Sequence, residues 1–152
     1  MDASNFLRLL TTTIQQYWSA QFSVPVPTHF PGVPTPLQQH AAWVELWVDA
    51  LHTPPQRTHA PQRDEVLVTI HCFSRHPQDK FQGQTLAGNA ASLFHHRTLP
   101  VVESVPDGEP RQVATVIFLE PQIRDLTRST EPTQPQLQHL VVSVQGVAHR
   151  CP

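Results

Sequence analysis

The chain has 152 residues, 39% of them apolar and 14% charged. At that length roughly 68–70% of the unfolded surface can be buried, so one domain with a real core is expected. A net charge of −2, with nine Arg and one Lys (Lys80), excludes the basic excess that drives nucleic-acid binding, and no acidic run forms a solvating tail.

Sixteen prolines cut the chain into six proline-free windows: 1–24, 37–53, 62–76, 78–99, 111–120 and 136–151. Proline lacks an amide donor and fixes φ, so helix interiors and central strands avoid it. The windows read helix, strand, strand, helix, strand, strand, which predicts an α/β (α+β) single domain over 1–152.

The first window predicts a helix over 4–20, capped by Ser4 or Asn5. Its buried stripe is Leu7, Leu10, Ile14, Tyr17 and Trp18 at three- and four-residue steps. The start, MDASNFLRLL, is not a secretory signal, and no stretch approaches the roughly 18 apolar residues of a membrane span. A soluble protein made in a cytoplasm is expected. Residues 23–36 hold five prolines and predict an extended connector in which Phe30 and Val33 pack.

Residues 42–51, AWVELWVDAL, alternate as a strand. Val44, Leu46, Val48 and Ala50 share one face; Trp43, Glu45, Trp47 and Asp49 share the other. Two Trp beside two carboxylates suit a subunit contact, since aromatics are enriched at interfaces; packing by the chain's own helix also suits them. Residues 53–64 predict a long exposed loop. Residues 65–73, EVLVTIHCF, are apolar on both faces and predict a central strand.

The second helix is expected over 79–96, with Phe81, Leu86, Ala90, Leu93 and Phe94 buried. Gly83 and Gly88 each weaken it by roughly 1 kcal/mol relative to Ala. A short strand at 99–104, an Asp107-Gly108 hairpin turn and a strand at 111–119 follow. Residues 120–136 read as a polar, proline-bearing loop, and 137–147 as the last strand.

Reactive groups do not assemble in the sequence. No two of the ten His are three or four apart, so no helix presents a ligand pair; a metal site would need residues distant in the chain. There is no GxSxG and no phosphate-cradling Gly loop. Cys72 and Cys151, the only cysteines, make neither a disulfide framework nor a zinc knuckle. No catalytic residue, cofactor or metal is expected, and the chain does not read as an enzyme. A small hydrolase using distant His and Asp is the reading in that class.

The "VPTHFPG" connector, the "WVELWV" and "EVLVTIHCF" strands, the "GQTLAGNAASLFHHR" helix and the "ATVIFL" and "HLVVSVQGVA" strands together resemble the tail terminator (tail completion) proteins of tailed bacteriophages, over roughly residues 5–148. The resemblance implies a mixed, mainly antiparallel sheet with two helices packed against it and long Pro-rich loops. It implies a structural virion protein at the head-proximal end of the tail. Its partners would be itself, as a hexameric ring, the tail tube protein and a neck or head-completion protein. DNA could pass through the ring lumen without sequence-specific recognition. Two proline-bearing loops, 53–64 and 120–136, are fuller here than a minimal member needs. Arg favours interfaces for its planar fork, so Arg57 and Arg63 in the first loop and Arg124 and Arg128 in the second join Trp43 and Trp47 as expected contact residues. Other readings are a head–tail stopper or joining protein, or a non-viral module holding a peptide in the proline-lined groove.

Overall fold

The computed structural model describes residues 2–51, 63–75, 80–127 and 137–152. The first helix, α1, spans Ala3–Gln21. Asp2, not Ser4 or Asn5, caps it: the Asn5 backbone N–H donates to Asp2 Oδ1 at 2.8 Å. Its buried stripe is Phe6, Leu10, Ile14 and Trp18, a strict four-residue repeat. Leu7 was expected in that stripe but is exposed, because Phe6 holds the position that faces the sheet.

Among the described residues, seven strands follow. They are β1 (Thr28–His29), β2 (Ala42–Leu51), β3 (Arg63–Ser74), β4 (Thr98–Glu103), β5 (Arg111–Phe118), β6 (Gln122–Asp125) and β7 (Gln138–Arg150). The second helix, α2, is Lys80–Phe94, between β3 and β4. The sheet order is β1-β2-β3-β7-β5-β4, and β6 also pairs with β7. Only β1 and β2 are parallel; every other pair is antiparallel. The result is an α+β fold: two helices and a curled mixed sheet.

β7 organises the sheet. β3 lies along one of its edges over the full length, Arg63 opposite His149 through Ser74 opposite Gln138. Its other edge carries β5 opposite 146–150 and β6 opposite 140–143. Two segments expected to be loop are therefore strand. Arg63 and Asp64 open β3, where Asp64 Oδ2 accepts from Arg150 Nε at 2.9 Å. Residues 122–125 form β6, whose following Leu126 N–H donates to His139 O at 2.8 Å. β3 is central, as expected, and its inward residues Val66, Val68, Ile70 and Cys72 are fully buried.

Both helices pack on one face of the sheet and share a single apolar cluster with it. Trp18 stacks on Phe94 (6.2 Å between ring centroids), and the Tyr17 hydroxyl donates to Leu93 O at 2.7 Å. In α2, Gly83, Leu86, Ala87, Ala90 and Phe94 face the strands. Small residues on that side let the helix approach closely. Phe81, expected among the buried residues, is 78% exposed. At about 100° per residue it falls on the side of the helix opposite Ala90.

The β4–β5 turn is the hairpin expected from Asp107-Gly108: Asp107 has φ +59°, and the Gly108 N–H donates to Val105 O at 3.2 Å. Phe30 packs against the core, whereas Val33 is 53% exposed. Among the described residues no helix is long and apolar enough to cross a membrane.

Candidate functional site

Pleating sends alternate residues of each strand to opposite faces. In β2 and β3 one set, including Val44, Leu46, Val66, Val68, Ile70 and Cys72, meets the helices. The other set points to the face on which no described helix lies. There the register sets Glu45 beside His71, His71 beside Val141, and Trp43 beside Phe73 beside His139. Trp43 and Trp47 are therefore not packed by either described helix.

These side chains form a stacked ladder. Arg75 lies over the Trp43 ring at 4.6 Å, and Trp43 stacks on Phe73 with centroids 5.0 Å apart. Phe73 stacks on His139 at 4.4 Å, and His139 on His71 at 5.1 Å. The stack shields Trp43, which is buried, while Trp47 beyond the ladder is 41% exposed. Arg75 is tied down by donating from Nε to His40 O at 3.1 Å. A cation over an indole and flat rings beyond it make a surface suited to another aromatic or guanidinium group.

Two histidines distant in sequence meet in this ladder. His71 Nδ1 lies 2.8 Å from His139 Nε2, so one nitrogen carries the proton and the other accepts it. Burial, and then the neighbouring His71, lower the His139 pKa; Glu45 and Asp125 push the other way. Trp43 Nε1 donates to Glu45 Oε1 at 3.4 Å, and Asp125 accepts from the Thr127 N–H at 2.9 Å. Hydrogen bonding to Thr127 lowers the Asp125 pKa. The pair does not extend to a metal centre: among the described residues no group of three or more His, Cys, Asp or Glu is placed to hold an ion.

Comparison with models of known protein families gives no match, and no curated protein matches the chain.

The expected contact residues are spread along the sheet. Trp43 and Trp47 lie on β2, with the ladder. Arg124 lies on β6, opposite Val141 and hence on the same face. Arg63 starts β3 opposite His149, at the far end of that strand from Phe73. Arg57 and Arg128 lie outside the described residues. Sequence reasoning missed the His71–His139 pair, whose members are 68 residues apart. Only the register of β3 on β7 joins them, and no local pattern encodes it.

Elsewhere, a hollow is lined by Phe6, Arg111, Val113 and Arg150. Its arginines are neutralised: Arg111 pairs with Glu103 at 3.1 Å and Arg150 with Asp64 at 2.9 Å. Cys72 is buried and its thiol pKa is pushed up to about 12 by desolvation, which makes it a core side chain and a poor nucleophile.

Proposed function

We propose that the chain is a structural virion subunit, a tail terminator. It would form a ring on the head-proximal end of a phage tail tube, stop tube polymerisation and offer the surface on which neck or head-completion proteins dock. The resemblance of its short segments to that family supplies the identity. The structural observation that carries the reading is the helix-free sheet face, where an aromatic ladder and the exposed Trp47 stand ready for a partner. Aromatic and Arg side chains are the groups protein interfaces favour. In this reading one domain carries both the sheet and two long proline-bearing loops. Such loops lose less entropy on docking, because proline has already restricted them.

The test is tail length, measured by electron microscopy in particles assembled without this protein. Overlong or variable tails with unattached heads are the expected result. Tails of normal length that fail to join heads would assign the chain to the neck as a joining or stopper protein. Normal infectious particles would remove it from virion assembly altogether.

A further inference from the structure

Among the described residues, the sheet carries two open stretches of backbone on opposite sides. In β2 the Val44 N–H donates outward, to Pro27 O at 3.0 Å. Main-chain groups of alternate residues point the same way along a strand, so those of Leu46 and Val48 also point outward. β1 covers only Val44 and Glu45, and no other described strand pairs with this edge of β2. On the other side, Leu126 N–H turns inward to His139 O. By the same alternation Ile123 and Asp125 of β6 direct their main-chain groups away from β7. All four residues of β6 are exposed.

The two edges match in length, facing and charge. Residues 122–127 match in number the six positions, 46–51, that β1 leaves free beyond Glu45. Ile123 lies on the helix-bearing face, as do Leu46 and Val48. Arg124 lies on the helix-free face, as do Glu45, Trp47 and Asp49. The side chains of Arg124 and Asp49 make no hydrogen bond or ion pair with any described residue.

We propose that β6 of one copy adds to the open edge of β2 in the next copy, antiparallel, with Ile123 opposite Ala50, so that Leu126 and Thr127 stop short of the positions that β1 holds. Arg124 then lies opposite the Asp49 carboxylate, beside the exposed Trp47 ring. Main-chain bonds supply the attachment, and the ion pair with the neighbouring indole supplies the register. The two edges are different surfaces on opposite sides of one sheet. The contact is therefore heterologous, the kind that closes into a ring when its rotation allows. The inference deepens the ring reading and rests on it.

The test is sedimentation of the purified chain and of the variants Arg124→Asp and Asp49→Arg, with hydrogen–deuterium exchange followed across a concentration series. Both sites are exposed, so both variants are expected to keep the wild-type circular dichroism. Each alone should weaken association at least tenfold, and an equimolar mixture should recover most of it, since each copy then supplies what the other lost. The outward-facing amides of Leu46, Val48, Ala50, Ile123 and Asp125 should gain protection as the wild-type chain associates. This second readout needs no substitution. Association that neither variant weakens, without new protection at Leu46, Val48 and Ala50, overturns the strand pairing and leaves a ring built through another surface. A chain that stays monomeric at millimolar concentration also overturns the pairing. Tail length, which requires no assembly in solution, then decides the ring reading separately.

Discussion

Burial, and then the neighbouring His71, make the His139 imidazole sensitive to acid. The His139 pKa is lowered from its ordinary 6.5, so the fold favours the neutral ring. As pH falls from about 6.5 the unfolded chain takes up the proton first, and stability is lost until pH has passed below the folded-state pKa. Charging both rings would set two N–H groups against each other across 2.8 Å. Glu45 on β2 and Asp125 on β6 soften that repulsion without removing it. The urea midpoint of the wild-type chain is expected to drop between pH 7 and pH 5, and His139→Gln should flatten that drop. Equal slopes for the two proteins would show that the pair does not set the acid response. The neighbouring residues were legible as a strand face bearing two tryptophans. That the face would gain a histidine from β7 was not, because a strand's composition does not specify which strand lies beside it.

At the scale of elements, two glycines should answer oppositely to the same change. Gly146 in β7 lies opposite both Val66 and Phe118, and an added Cβ would come within 2.8 Å of Val66 Cγ1 and 2.9 Å of Phe118 Cδ1. Gly146→Ala should therefore destabilise by about 1–3 kcal/mol, the usual cost of overpacking a core. Gly88 in α2 has nothing within 4 Å of that position, and Gly88→Ala should stabilise by roughly 0.5–1 kcal/mol through helix propensity. Denaturant titration of the two variants checks both signs. Proline punctuation located both helices and the strands β2, β3, β5 and β7, because proline marks where regular hydrogen bonding stops. β4 was read outside those windows, as a short strand that contains Pro100, which an edge strand tolerates. β1 and β6 were missed: each is short and flanked by proline, and each becomes strand through a neighbour's backbone and not through its own alternation. The helix stripes were read one position off at Leu7 and half a turn off at Phe81, where an apolar residue lies outside the face its helix presents.

For the whole molecule, one apolar cluster links both helices to strands β2, β3, β4, β5 and β7. Far-UV and near-UV signals should therefore be lost together in a single thermal transition. Two separated transitions would mean that the cluster divides into units. The longest ladder joins residues far apart in the chain, Ser74 with Gln138 and Arg63 with His149, so folding in milliseconds to seconds is expected. This topology also ties folding to synthesis. A ribosome delivers β7 after every strand that β7 joins, so the nascent chain holds β3 without its main neighbour, while β5 has only β4 beside it and β6 lacks the strand it pairs with. Until β7 emerges, Val66, Val68, Ile70, Val116 and Phe118 have no finished sheet to close over them. The newly made polypeptide is thus a natural client for chaperones that bind extended apolar segments.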